Sequence, residues 1–502
     1  MSRNGKNHAG LKAFLIILIL VMIAATAFVV KMCFDLATQV PERDPQPSGS
    51  VLEEYLATEP EETETEPPTT VPVPEHVVST ATIGSMGDLL MHMPIFDDNQ
   101  YNSAVQQADG SYNFEPVFRY IKDTITELDY AAVNLETTLC GTDNGYPYHG
   151  YPHFNCPDEI VDGAKEAGFD MLLTANNHSY DTTLVGYKRT LEVARGRGLD
   201  TLGTYASADE VKWTIKEING INVGMLCYTY ANYDTEDGRP SLNGNTPISE
   251  AGICNYFVYD DLAAFYAEVD TYLDEMEAAG AEATMMYIHW GVEYLTYAND
   301  DQKKIAQDLC DLGIDVIVGG HPHVVEPVEL LTSTTDPEHK TVCLYSMGNA
   351  VSNQRLGNIS YINTPHTEDG LLFIVSFEKY SDGTVYLAGV EAIPTWVNMH
   401  TNTNGKTEYN ILPLDYERNG EWQNLFEINE NTFNACERSY NRTMEIVGAG
   451  VEDCQTWLAQ EKADREQYYY DLAFFPEKFA TEAATEPAVT EPATETTLDN
   501  AA

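Results

Sequence analysis

Residue types that bind divalent metals recur in this sequence at the ends of apolar runs. The run DVIVGG, Asp315 to Gly320, finishes on His321 and His323 with one proline between them. Alternating residues of an extended segment project to one face, so Pro322 is expected to hold both imidazoles toward a common point. Asp88 follows TIGSMG, Glu136 follows AAVNL, Asn176, Asn177 and His178 follow MLLTA, and His289 follows MMYI. Any one of these has an ordinary structural use, as a turn residue, a helix cap or a hydrogen-bonded core histidine. Together they are carboxylates, imidazoles and an amide delivered by separate segments, and burying them unpaired would be costly. A shared cation removes that cost. Imidazole, carboxylate and amide oxygen without thiolate suit Mn, Fe or Zn, and there are enough ligands for one or two such ions. Two ions about 3.5–4 Å apart are the apparatus of phosphate-ester hydrolysis, in which a histidine that is not a ligand can protonate the leaving oxygen.

Such a set needs elements that end at one place. Between about residues 79 and 397 the chain repeats an amphipathic helix, a glycine, a short apolar strand and a polar cluster. The first clear helix spans about Asp260 to Ala279, with Leu262, Phe265, Val269, Leu273 and Met276 on one face and Gly280 beyond it. A second carries Ile305, Leu309 and Leu312 and stops at Gly313, and a third, DEIVDGAKEAG, stops at Gly168. Helices of this length alternating with short apolar strands predict an α/β sheet covered on both faces. In such sheets ligands gather at the carboxyl ends of the strands, which is where the polar residues fall.

The ends of the chain have a different character. Arg3, Lys6 and Lys12 form a basic stub, 1–12, ahead of an apolar run at 13–32. That run is within the roughly 17–25 residues that cross a bilayer, and its flanks predict a single-pass anchor in the cell membrane with the folded domain extracellular. The alternative is a cleaved signal peptide, with small residues at AATA. Residues 33–78, rich in Glu, Thr and Pro, read as an acidic spacer, 398–476 as a mostly helical extension with aromatic faces, and 477–502 as a disordered tail. The two acidic ends are expected to hold a good part of the formal net charge of −52, so the charge reads mostly as solubility and spacing and argues against nucleic acid as a partner. Nine cysteines match no CxxC metal pattern, and Cys140 with Cys156, or Cys436 with Cys454, are possible local bridges.

In order along the chain, GD, NLE, ANNHSYD, HWG, GHPHV and SMGN resemble the motifs of the bacterial CapA, or poly-γ-glutamate capsule biosynthesis, family. That family is similar to the calcineurin-like metallophosphatases, so the resemblance implies an αββα sandwich of two mixed sheets packed face to face with helices outside. It implies Asp88, Glu136, Asn177, His289, His321 and His323 as metal ligands, with Glu136 bridging. It implies His178 as the general acid and Asp181 as the residue that orients it. The family's Asp-x-His is missing, leaving His92 as a displaced substitute, and Glu136 stands where an aspartate is usual. Glu293 of HWGVEY and Asn349 of SMGN are expected to face the substrate. The implied function is capsule biosynthesis, as a metal-dependent hydrolase of a phosphoester or an anionic cell-envelope polymer. The alternatives are a non-catalytic assembly, retention or export factor, partnered by capsule-synthesis membrane proteins, and a binding module without turnover.

Overall fold

A computed structural model describes residues 73–233, 238–243, 246–415, 426 and 429–479. The stub, the apolar run at 13–32, most of the spacer and nearly all of the C-terminal tail lie outside the described residues. Among the described residues no helix is long and apolar enough to cross a membrane.

Valine, isoleucine and alanine-rich runs form two mixed sheets. The first has the spatial order Thr407–Pro413, Val385–Thr401, Asp369–Tyr380, Val77–Leu89, Tyr130–Asn134, Met171–Leu173, Asp200–Leu202, and Asn349–Val351 pairs beside the end of Val77–Leu89. The four strands from Val77–Leu89 to Asp200–Leu202 are mutually parallel, and Asp369–Tyr380 runs against them. The second sheet has the order Val328–Thr332, Lys340–Leu344, Val316–Gly320, Ala283–His289, Ile221–Tyr230, Thr214–Ile218, with its four central strands parallel. Ala81, Ile83, Ala132, Met171 and Phe373 of the first sheet pack on Met225, Cys227, Met285, Val316 and Leu344 of the second. The outer face of the first sheet is covered by Phe114, Phe118, Ile160 and Ala164, and that of the second by Phe265, Val269, Met276, Ile305 and Leu309. This is a mixed α/β fold of two facing sheets with helices outside.

The expected helices are present at Glu159–Glu166, Leu262–Ala278 and Asp300–Asp311, the last two ending two residues before Gly280 and Gly313. Asp300–Asp311 begins with a reciprocal cap between Asn299 and Gln302, which satisfies two of its free N-terminal amides.

Downstream the structure differs from expectation. Strand Val385–Thr401 runs through the expected boundary at 397/398, and Thr407–Pro413 adds the sheet's edge. Beyond that edge comes one helix, Glu430–Phe474, of 45 residues. Its buried residues are Cys436, Ser439, Thr443, Val447, Val451, Cys454 and Leu458, mostly small or branched, and one aromatic, Tyr469, near its end. Small residues let the helix lie close to both sheets: a Cβ on Gly450 would stand 1.8 Å from the Val328 carbonyl oxygen. Cys436 and Cys454 are separated by about 27 Å of helix, at ~1.5 Å per residue, and cannot bridge. All eight described cysteines, Cys140 and Cys156 included, are buried free thiols. Nor do the acidic ends account for the charge, because residues 73–479 alone carry 64 acidic and 22 basic side chains.

The long helix is tied to the first sheet by a buried carboxylate. Asp369 accepts from Arg442 Nε at 2.9 Å and Nη2 at 2.6 Å, and from Ser439 Oγ at 2.6 Å. Burial pushes Asp369 up to about 6, against the pull of Arg442 and Ser439. A carboxyl raised in the folded state favours folding below its unfolded value and loses that contribution as pH rises through about 6. Arg442→Ala should therefore cost about 2–3 kcal/mol at pH 8, where Asp369 is left charged and unpaired. The loss should shrink at pH 5, where Asp369 takes up a proton. Urea melts at the two pH values check this, and an equal loss at both would contradict it.

Candidate metal centre

The polar residues meet because the parallel strands of both sheets end at one edge. Strand Val77–Leu89 delivers Asp88 at a bulge, where the register shifts on both sides of that residue. Gly87 makes this possible, since a Cβ there would stand 1.8 Å from the Gly348 carbonyl oxygen, which accepts Asp88 N at 3.1 Å. Tyr130–Asn134 is buried throughout and leads to Glu136 two residues on. Met171–Leu173 leads to Asn176, Asn177 and His178, Ala283–His289 ends on His289, and Val316–Gly320 opens into His321. Gly319 allows that last strand to pass Trp290 and the Tyr345 carbonyl, which a Cβ would approach to 1.9 Å.

His321 and His323 do not share one face of an extended segment. Both have left-handed backbones, with φ of 100° and 57°. Such conformations cost non-glycine residues about 1–3 kcal/mol and persist only where neighbours impose them. Here Trp290 N donates to Gly320 O at 3.1 Å and Tyr294 N to Pro322 O at 2.8 Å, while Asn349 Nδ2 donates to His323 O at 3.1 Å. Asn349 is fully buried beneath this turn and holds it, instead of facing an open site.

The turn sends the two imidazoles to different partners. Asp88, Glu136 and His323 form one group of ligand atoms, and Glu136, His289 and His321 form another, each with all its atoms within 4.8 Å. Glu136 belongs to both. Its Oε1 lies 3.8 Å from His289 Nε2, 3.9 Å from His323 Nε2 and 4.0 Å from His178 Nε2. That oxygen is buried without a hydrogen-bond partner, as is His321 Nδ1. Asn177 Oδ1 sits 3.0 Å from His289 Nε2, at the edge of the second group. Orphaned buried acceptors surrounded by imidazoles fit a divalent transition metal, and nothing in the donor set is soft enough to select copper(I) or an iron–sulfur cluster.

Supporting amides fix these ligands. Asn134 Nδ2 donates to Asp88 Oδ1 at 2.7 Å and approaches Glu136 Oε2 at 3.4 Å, and Asn176 Nδ2 donates to Asn134 Oδ1 at 3.0 Å. Neither Asn134 nor Asn176 is expected in this role from sequence. The signal is an asparagine closing a wholly apolar strand, where only a buried polar partner would keep it. Tyr230 lies parallel over His289 with ring centroids 6.4 Å apart and meets His321 at 4.9 Å.

His178 is held differently. Its Nδ1 lies 2.7 Å from Asp181 Oδ2, which also accepts Phe154 N at 2.7 Å. The carboxylate therefore fixes the proton on Nδ1 and leaves Nε2 toward Glu136. His92 stands outside both ligand groups, with Nδ1 3.2 Å from the Leu90 carbonyl and its ring edge-on to Phe154. Burial pushes it down to about 3. His92 and Glu293 both line a cavity of about 250 Å3 that opens beside His178 and His323.

Similarity to known proteins agrees with this geometry. Residues 82–354 match the family model described as bacterial capsule synthesis protein PGA_cap, more than half of the chain. The chain belongs to this family. It is 28% identical over 273 residues to the PGA biosynthesis protein CapA of Bacillus subtilis (strain 168), covering 54% of this chain and 62% of that one. It is 26% identical over 290 residues to the capsule biosynthesis protein CapA of Bacillus anthracis, covering 56% and 62%. The matched region thus spans less than two thirds of either relative. Every ligand named above lies inside residues 82–354, whereas the long C-terminal helix lies outside.

The site's electrostatics predict how a metal would bind. Burial, and then Asp88, push Glu136 well up, while burial and the neighbouring imidazoles push His289 and His321 well down. Burial also pulls His323 down, but its hydrogen bond to Asp88 and that charge outweigh it. Without a metal the site therefore favours a bound proton at Glu136 or His323. A metal must displace it, so binding should release about one proton and tighten as pH rises from 6 to 8. Calorimetric titration with Mn or Zn in buffers of different ionisation enthalpy measures this. Binding heats that are independent of the buffer would contradict it.

Proposed function

We propose that this chain is a metal-dependent hydrolase acting on a phosphoester-type bond in capsule or other cell-envelope material, tethered outside the cytoplasm through residues 13–32. One observation carries the reading: a buried carboxylate oxygen, Glu136 Oε1, common to two groups of ligands, with a carboxylate-oriented histidine 4.0 Å away. Asp88, Glu136 and His323 would hold one ion, and Glu136, Asn177, His289 and His321 a second. Bound divalent ions would polarise a phosphoryl group and lower the pKa of water beside it.

The rest falls to the chain's own side chains. Asp181 keeps the Nδ1 proton of His178 in place, so that Nε2 can carry a proton toward the site and give it to the departing oxygen. Phe154 packs edge-on against that ring at 4.7 Å and limits its rotation. Asn134 and Asn349 keep Asp88 and the His321–His323 turn in position.

The names of the relatives favour a role in polymer synthesis, which a non-catalytic assembly or retention factor could also fill. Turnover separates the two. His178→Ala should keep its metal and lose at least about 100-fold in rate on an alkyl phosphoester, whose leaving group needs a proton, and much less on a nitrophenyl ester. His321→Ala and His323→Ala should each lose metal. Metal analysis and rates on both substrate types, at one pH, test this. A purified chain with bound metal and no turnover on any phosphoester would support the assembly role instead.

A further inference from the structure

The cavity beside the ligand groups has an acidic, aromatic mouth that the proposed hydrolysis leaves unexplained. Its inner wall is His178 and His323, and its outer wall is Tyr151, Glu293, Tyr294 and Tyr361. Tyr151 is 63% exposed and Tyr361 53%, so both rings stand open to solvent at the same mouth. Tyr294 is held in place: its backbone is left-handed with φ 69°, its amide donates to Pro322 O at 2.8 Å, and Gln354 Nε2 donates to its hydroxyl at 3.1 Å. Its ring stands 6.2 Å from His323 and 6.4 Å from Tyr361. The mouth is thereby tied, through the carbonyl of Pro322, to the turn that carries two of the candidate ligands.

The charges decide what such a mouth would accept. Among the described residues, no lysine or arginine lines the cavity. Glu293 stands among phenol rings, on a body that carries 64 acidic and 22 basic side chains. A polyanionic chain entering here would meet Glu293 and no cationic lysine or arginine among the described lining residues. A cation would meet a carboxylate and three phenol rings, the residue types from which aromatic cages for ammonium groups are built. The volume, about 250 Å3, is below the ~300–1,000 Å3 typical of drug-sized ligands and suits a small headgroup.

We infer that the mouth formed by Tyr151, Glu293, Tyr294 and Tyr361 binds an ammonium group carried by the phosphoester whose phosphoryl end lies at the metal ligands. This rests on the proposed phosphoester site, because that site places the phosphoryl group. It adds the chemical class of the remaining part of the substrate: an alkylammonium or amino-alcohol ester.

Binding tests it without requiring turnover. Phosphocholine and 3,3-dimethylbutyl phosphate have the same shape and differ by one charge. Titrated into the Mn-loaded full chain in a calorimeter, phosphocholine should bind about tenfold more tightly. Glu293→Gln and Tyr361→Leu should each narrow that ratio while leaving metal content as in the parent chain. Equal affinity for the two compounds would overturn the inference, as would a ratio unmoved by both substitutions. The p-nitrophenyl esters of the same two compounds separate this from the hydrolase reading. Preferential binding without cleavage keeps the ammonium site and sinks the hydrolase, whereas cleavage of both at equal rates does the reverse. Phosphatidylcholine vesicles added as competitor distinguish the source: competition supports a lipid headgroup, and its absence supports a soluble or polymer-borne ester.

Discussion

The structure turns on a carboxylate buried where it cannot be hydrated. Glu136 is fully buried, and one of its oxygens has no hydrogen-bond donor. An unsatisfied buried polar group costs about 1–3 kcal/mol, and more when it is charged. The surroundings are arranged to make that cost recoverable by a cation. Three imidazole nitrogens from three strand ends point at the same oxygen, and a second buried carboxylate, Asp88, stands alongside. For the strand ends to converge there, both sheets must present the carboxyl ends of their parallel strands to one edge. The face-to-face packing of the sheets, the glycines at 87 and 319, and the strained turn at His321–His323 all follow from that requirement.

Much of this is legible in the sequence because strand ends are marked twice, by the close of an apolar run and by a glycine or polar cluster. The α/β class, the three helices ending near glycines, and the convergence of Asp88, Glu136, Asn177, His289, His321 and His323 can be read in that way. Which histidine joins which carboxylate cannot. Alternation along an extended segment predicts a common target for His321 and His323, but both residues adopt left-handed backbones, and that depends on hydrogen bonds from Tyr294 and Asn349, which are distant in sequence or separated by a loop. Asn349 departs from expectation for the same reason: a polar residue at a strand end can serve the backbone of a neighbouring turn as readily as a ligand. His92 lies four residues after Asp88, yet the chain turns there into the short helix Met93–Phe96 and carries its ring to the cavity wall. The long C-terminal helix is conspicuous in sequence for its tyrosines, and of these Tyr469 is buried, whereas most of its buried stripe is cysteine, serine, threonine and valine. Small residues at helical spacing are a weak signal in a sequence and a strong one in packing.

The distribution of charge bears on what this family member handles. Most of the acidity belongs to residues 73–479, and Glu293 is the carboxylate among the described residues that line the cavity beside the ligand groups. A phosphoryl group drawn to the metal ligands, with the rest of the substrate neutral or cationic, is easier to reconcile with this cavity than an acidic polymer running across it. The long helix and the last two strands lie outside residues 82–354, which the family model matches. They build the far edge of the first sheet and take no part in the ligand set.

The central claim is that Glu136 belongs to two metal sites at once, and electron paramagnetic resonance of the Mn-loaded chain tests it most directly. A carboxylate shared by two Mn(II) ions couples their spins. As loading passes one equivalent, the isolated six-line spectrum should give way to the broad signal of a coupled pair, and Glu136→Gln should abolish the coupled signal. A spectrum that remains that of isolated Mn(II) at two bound equivalents would contradict the account.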